Sequence, residues 1–85
     1  MILRLEYKED KMKIYYISHQ DEKTKKENIK LYSEVRENGE SIKSGWYGDY
    51  WVATYKYNNK FYELWDNMEY GIMSKVIEFE LEEEK

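Results

Sequence analysis

The sequence predicts an all-β domain, built as a small antiparallel meander or partly closed barrel of six to seven strands. Three observations support this fold class: short segments of strand-like periodicity, polar turn residues between them, and many Tyr and Ile side chains. The 85 residues suffice for a single domain, 1–85. They include no Cys and no Pro, which excludes disulfides and Cys-bearing metal sites.

Two strands are predicted in the N-terminal part. In residues 2–8, apolar and charged side chains alternate with the period of a strand. Residues 9–11 are polar enough to turn, and residues 12–18 are rich in β-branched and aromatic side chains, which favours a second strand. Residues 19–27 contain nothing apolar and are predicted to form an exposed loop.

Residues 28–47 allow two interpretations, of which a hairpin is favoured. Asn38-Gly39 is the best two-residue turn signal for a hairpin. It would pair residues 29–36 with residues 41–46 and give good cross-strand contacts.

The alternative for this segment is a helix at about 25–38. Thr24 and Glu27 have the spacing of a capping box, and Gly39 stands just past the helix end. Against the helix, two lysines would crowd its positive N-terminal end. With the helix, the fold becomes α+β, one helix on a five-stranded antiparallel sheet.

A clearer hairpin is predicted between strands 50–57 and 60–66. They flank Asn58-Asn59, residues that tolerate the positive φ of a tight turn. Counting outward from the turn sets the register of every cross-strand pair. Both faces of this hairpin then carry aromatic rings, more than one small core requires.

The last predicted strand covers residues 75–82, after a loop around Gly71. Its alternation predicts Ile77, Phe79 and Leu81 inside, and Val76, Glu78, Glu80 and Glu82 outside. The C-terminal end, residues 78–85, holds five Glu and one Lys and accounts for the whole net charge of −4. Because the rest of the chain is neutral, direct binding to nucleic-acid phosphates is not expected.

The sequence shows no catalytic constellation. The single His, His19, stands at a loop edge, and lone surface histidines are usually only solvated. No glycine-rich phosphate loop and no calcium-binding loop pattern are present. We therefore expect that the protein is not an enzyme and that it has no metal site and no cofactor.

Composition also suggests where the protein works. No apolar run is long enough to span a membrane, and the charged start has no signal-peptide core, so a cytoplasmic protein without a membrane partner is expected. Forty of the 85 residues are Phe, Tyr, Met, Ile, Asn or Lys, which A/T-rich codons encode. This bias indicates a low-GC bacterium or one of its phages or plasmids.

The candidate partner-binding residues are four rings and three acids: Trp46, Tyr47, Tyr50, Trp65, Glu78, Glu80 and Glu82. Part of the aromatic set must build the core, but a surplus aromatic face is typical of protein recognition or of base and sugar stacking. The three acids are spaced at two residues, about 6.8 Å along a strand. That spacing is close to the phosphate repeat of nucleic acid, so the acids would suit an inhibitor that imitates it.

This profile of a small, acidic, aromatic and Cys-free domain resembles small phage and mobile-element proteins that inhibit host enzymes, such as anti-CRISPR and anti-restriction proteins. The resemblance implies stoichiometric binding to a host protein, a nucleic-acid-binding enzyme with a basic surface. One alternative is a small-molecule module that binds a nucleotide or sugar in an aromatic pocket. Another is a structural or assembly protein that homodimerises through the aromatic face.

Overall fold

The computed structural model describes residues 12–80 and the backbone of residues 2–4 and 82–84. These residues form a five-stranded antiparallel sheet with one helix, and a separate two-stranded ribbon. In chain order the elements are β1 (Ile2–Arg4), β2 (Lys13–Tyr16), α1 (Glu22–Asn38), β3 (Glu40–Tyr47), β4 (Tyr50–Tyr57), β5 (Lys60–Asn67), β6 (Ile72–Phe79) and β7 (Glu82–Glu84). The sheet order is β2-β6-β5-β4-β3, and the ribbon pairs β1 with β7. The fold is therefore α+β, the stated alternative to the all-β prediction.

The favoured hairpin across Asn38-Gly39 is wrong, because residues 22–38 form helix α1. Tyr32 and Val35 of this helix are buried against the sheet, and that burial outweighs the local turn signal. The strand predicted at 41–46 does form within β3, but its partner is β4. The exposed loop predicted at 19–27 is correspondingly shorter, because the helix begins at Glu22.

Both ends of α1 are capped by identifiable contacts. The helix begins after Asp21, not at the predicted Thr24 box: the Thr24 backbone N–H donates to Asp21 Oδ1 at 3.1 Å. Hydrogen bonding from Thr24, by its side chain first and by this backbone N–H second, lowers the pKa of the Asp21 carboxyl. At the other end, the Gly39 N–H donates to the Val35 carbonyl at 2.8 Å, as a residue just past a helix does.

The predicted hairpin between residues 50 and 66 is confirmed residue for residue. Strands β4 and β5 pair with Tyr55 opposite Tyr62, and every other pair follows the count from the turn. Asn58 and Asn59 have φ values of 51° and 63°, the left-handed conformation that the turn requires. Both strands of the hairpin lie inside the sheet, between β6 and β3.

Strand β6 differs from the prediction of one buried and one solvated face. It lies between β2 and β5, and neighbouring residues Val76 and Ile77 are both buried although they point to opposite faces. Glu78, predicted outside, is only 9% exposed. Predictions for residues 5–11, for Leu81 and for the Glu82 side chain lie outside the described residues.

Helix α1 packs on one face of the sheet and builds the core there. The buried core residues are Ile17, Tyr32, Val35, Tyr62, Leu64 and Val76. No described helix covers the opposite face, which we call the open face. In the described part of the chain, α1 is neither long nor apolar enough to cross a membrane.

Candidate functional site

Strand pairing arranges the open face of β3, β4 and β5 as a grid of side chains. Residues directly opposite each other point to the same face, so the register assigns them to rows that run across the strands. The first row is Lys43, Thr54 and Glu63; the second is Gly45, Val52 and Trp65; the third is Tyr47, Tyr50 and Asn67. Successive rows are two residues apart, about 6.8 Å along each strand.

Gly45 opens a groove in this grid. A Cβ atom placed on Gly45 would meet no atom within 4 Å, so the space between Lys43 and Tyr47 is vacant. The resulting groove has a volume of about 400 Å³. Val52 and Thr54 form its floor, and we call it the Gly45 groove.

Trp65 forms the wall of the Gly45 groove and is held by contacts on several sides. Its ring makes edge contacts with Tyr47 and Tyr50, at centroid distances of 5.3 and 5.5 Å. The Lys75 ammonium lies 4.6 Å from the ring centroid, a cation–π contact. The indole N–H donates to Glu63 Oε1 at 3.0 Å. These contacts order the ring before any ligand arrives.

The predicted aromatic residues separate into two groups. Tyr47, Tyr50 and Trp65 meet on the open face. Trp46 points to the other side of the edge strand β3, where its ring packs edge-on against Trp51 at 5.2 Å. Trp46 is 64% exposed and Tyr47 is 69% exposed, so the prediction that at least one of the four rings is largely exposed is confirmed. The accompanying prediction, that the exposed ring lies near Glu78, Glu80 or Glu82, is not confirmed for Glu78, because β4 and β5 separate β3 from β6.

The predicted acids do not join the rings. Glu78 faces the helix-bearing side, opposite Tyr62, and its carboxylate is engaged by Lys60 Nζ at 2.6 Å and by the Tyr15 hydroxyl at 2.9 Å. Burial alone would raise the pKa of Glu78, but the bonds from Lys60 and Tyr15 outweigh it and lower the pKa. Glu80 is exposed after the end of β6, and the Glu82 side chain is not described.

Sequence reasoning missed three polar residues and the glycine of the grid, Lys43, Thr54, Glu63 and Gly45, and also Lys75 of the neighbouring strand β6. One usable signal was Gly45 itself, because a glycine inside a strand often marks a place where something approaches closely. The hairpin register already placed Thr54 opposite Glu63. What remained hidden was the neighbour of β3, since the favoured interpretation paired that strand with residues that are helical.

The arrangement offers an aromatic wall, an ammonium group at the rim and a carboxylate at the base, all in one open groove. Within the described residues, no group of three His, Asp or Glu side chains is placed to hold a metal ion. Comparison with known protein families, curated proteins and solved structures finds no match for this chain. The residues of the site are therefore the basis for assigning a function.

Proposed function

We propose that this chain is a small non-enzymatic binding protein that docks onto a partner protein through the aromatic end of β3. The observation that carries the proposal is the exposure of Trp46 and Tyr47, 64% and 69%, at neighbouring positions of an edge strand. The finer proposal is a phage or mobile-element inhibitor of the anti-CRISPR or anti-restriction type. Its partner would be a host nucleic-acid-acting enzyme with a basic surface.

Three features of the β3 end support docking. Large exposed rings are unfavourable in water and are typical of interaction sites, where Trp and Tyr are frequent hot spots. Tyr47 already packs against Trp65, which reduces the entropy lost when a partner immobilises it. Within the described sheet, β3 pairs with β4 alone, so its outer edge can accept a strand from a partner.

Capture of host proteins on the immobilised chain tests the proposal. We expect a host protein to bind the wild type. The Trp46→Ala/Tyr47→Ala variant should bind that protein more weakly, by about 2 kcal/mol or more of binding free energy. Tyr70→Ala is the matched control, because Tyr70 is 71% exposed in the turn before β6. Equal capture by the double variant and the control would contradict the proposal.

The finer proposal needs a second measurement on the captured enzyme. If the chain is a stoichiometric inhibitor, nucleic-acid cleavage or binding should fall linearly with added chain and reach its minimum near one chain per enzyme. The Trp46→Ala/Tyr47→Ala variant should leave the enzyme active. A captured partner without any nucleic-acid-directed activity would contradict this finer class while leaving the docking surface in place.

A second candidate function is a small-molecule-binding module. The specific observation that favours it is the Gly45 groove, with an aromatic wall beside Lys43 and Glu63. Its discriminating variant is Gly45→Val, which fills the groove from a position with free space around it. Loss of ligand binding with retained partner capture would assign the two activities to different parts of the β3 surface.

A further inference from the structure

We infer that the Gly45 groove binds a nucleoside monophosphate, with the base against Tyr47 and Trp65 and the phosphate on Lys43. The inference rests on the small-molecule candidate and names its ligand class. It follows from the size of the groove, the order of its aromatic wall, and the positions of its charged groups.

The groove has the dimensions of a site for one base. Lys43 and Tyr47 are four residues apart on β3, about 14 Å along the strand, and Gly45 between them contributes no side chain. The volume of about 400 Å³ lies within the range of about 300–1,000 Å³ that is usual for small-ligand sites. A planar base can therefore lie over Val52, between the Tyr47 ring and the Lys43 stem.

The ring wall is suited to a planar ligand. Trp65 is held by Glu63 and Lys75, and Tyr47 packs against it while remaining largely exposed. Stacking of a base on such a ring is favourable and needs little reordering of side chains that are already in place. A sugar could also stack there, but it would make no use of the cation at the rim.

The polar groups of the first row distinguish a nucleotide from an uncharged ring. Lys43 is exposed and forms no ion pair with another described residue, so its ammonium is free to bind a phosphate. Glu63 is 8% exposed, and its Oε2 receives no hydrogen bond from the described residues. A carboxylate oxygen accepts the N–H donors that every nucleobase carries on its edge. Donor edge, ring and phosphate therefore each have a partner in the groove.

Titration with the mononucleotides GMP, AMP, CMP and UMP, followed by tryptophan fluorescence and calorimetry, tests the inference. We expect at least one of the four to bind the wild type. Gly45→Val should weaken that binding by about tenfold or more, because its side chain occupies the place of the base. Unchanged thermal unfolding of this variant shows that the sheet is intact.

Two lysine variants separate the phosphate contact from general charge. Lys43→Gln should weaken binding of the nucleotide by about fivefold or more and leave binding of the parent nucleoside unchanged. Lys56→Gln is the matched control, since Lys56 is exposed on the same face, opposite Phe61, and does not line the groove. It should change affinity by less than about twofold.

Absence of binding by all four nucleotides at millimolar concentration would overturn the inference, as would equal binding by the Gly45→Val variant. A tetranucleotide that binds about a hundredfold more tightly than any mononucleotide would also overturn it, in favour of single-stranded nucleic acid. Capture of a host protein through Trp46 and Tyr47 is measured separately. A negative result in the nucleotide titration therefore does not affect the conclusion from partner capture, and a negative capture result does not affect the titration.

Discussion

At the scale of single residues, two glycines show what a missing side chain does in different surroundings. Gly39 follows helix α1, and a Cβ atom there would lie 2.5 Å from the Val35 carbonyl oxygen and 3.2 Å from Tyr55 Cβ. Gly45 has free space in the corresponding direction. Gly39 is required chiefly because a side chain there would collide with the last turn of α1 and also crowd β4, whereas Gly45 keeps a groove open at the surface.

Alanine at these two glycines should therefore have opposite effects on stability. Gly39→Ala should lower the free energy of unfolding by about 1–3 kcal/mol, because backbone atoms must shift to admit the methyl group. Gly45→Ala should leave stability unchanged or raise it by about 0.5–1 kcal/mol, since a strand glycine loses more entropy on folding. Urea unfolding of both variants checks this, and equal losses would contradict it.

Tyr32 links the helix to the sheet through its hydroxyl, which donates to the Asp66 carboxylate at 2.6 and 2.7 Å. Burial and the carboxylate both raise the pKa of Tyr32, so the hydroxyl remains a donor at neutral pH. Tyr32→Phe should cost about 1–3 kcal/mol of unfolding free energy, because a partly buried carboxylate loses its donor. Tyr70→Phe, in the exposed turn, should stay within about 0.5 kcal/mol of the wild type. Thermal or urea unfolding distinguishes the two.

At the scale of elements, β6 is the strand whose surroundings differ most from its alternating sequence. Phe79 is 1% exposed and its ring packs near Phe61, at a centroid distance of 6.1 Å. Val76 lies on the opposite, helix-bearing face and is equally buried under α1. Both faces of β6 therefore bury apolar side chains, although α1 covers only one of them.

Phe79→Ala should destabilise the protein by about 3–5 kcal/mol, the usual cost of removing a buried ring. For a domain of this size that is enough to unfold much of the population at room temperature. Glu80→Ala, at the next and exposed position, should change stability by no more than about 0.5 kcal/mol. Similar losses in both would mean that the environment of β6 is different from that described.

Glu78 joins three strands, since its partners Tyr15 and Lys60 belong to β2 and β5. Its pKa is lowered in the folded state, so the bonds stabilise the fold above the unfolded pKa of about 4.3. That stabilisation is lost as the pH falls through the lower, folded value. We expect Glu78→Gln to lower stability at pH 7 and to reduce the loss between pH 5 and pH 2.

Unfolding free energies measured across that pH range test the role of Glu78. Glu80→Gln is the control, because Glu80 is exposed and should retain the pH dependence of the wild type. A Glu78→Gln variant whose acid sensitivity matches that of the control would mean that the ion pair contributes nothing to stability in solution.

At the scale of the whole molecule, helix and sheet share one core. Tyr32 and Val35 of α1 are buried together with Leu64 and Val76 of the sheet, so neither layer can bury its apolar face alone. We expect a single cooperative transition on heating, with helical circular dichroism and tryptophan fluorescence changing at the same temperature. Two separated transitions would contradict the shared core.

The charges beside the exposed rings differ from those that the sequence predicts. The rings of the open face lie beside Lys43 and Lys75, while Glu78 is committed to contacts on the helix-bearing side. Clustered acids next to aromatic anchors were predicted from spacing along one strand. Spacing sets the distance between residues of one strand, but the environment of each face depends on which elements cover it.

The part of the candidate site that depends on local turn signals could be predicted from the sequence. The register of β4 and β5 follows from the Asn58-Asn59 turn, because a tight turn sets every pair beyond it. Two of the three rings on the open face, Tyr50 and Trp65, were therefore already assigned to one face. The excess of rings over what one small core can bury predicted that at least one of the four candidate rings is exposed, and Tyr47 is one of those that are.

By itself, then, the sequence determined the central hairpin and the surplus of aromatic rings. Only the tertiary structure decided that residues 22–38 are helical, because the deciding energy is the burial of Tyr32 and Val35 against strands distant in sequence. It also decided that Gly45 lies beside Trp65, since that neighbourhood exists only where β3 pairs with β4 and β4 with β5. Local propensities act within a few residues, whereas the groove is made of three strands.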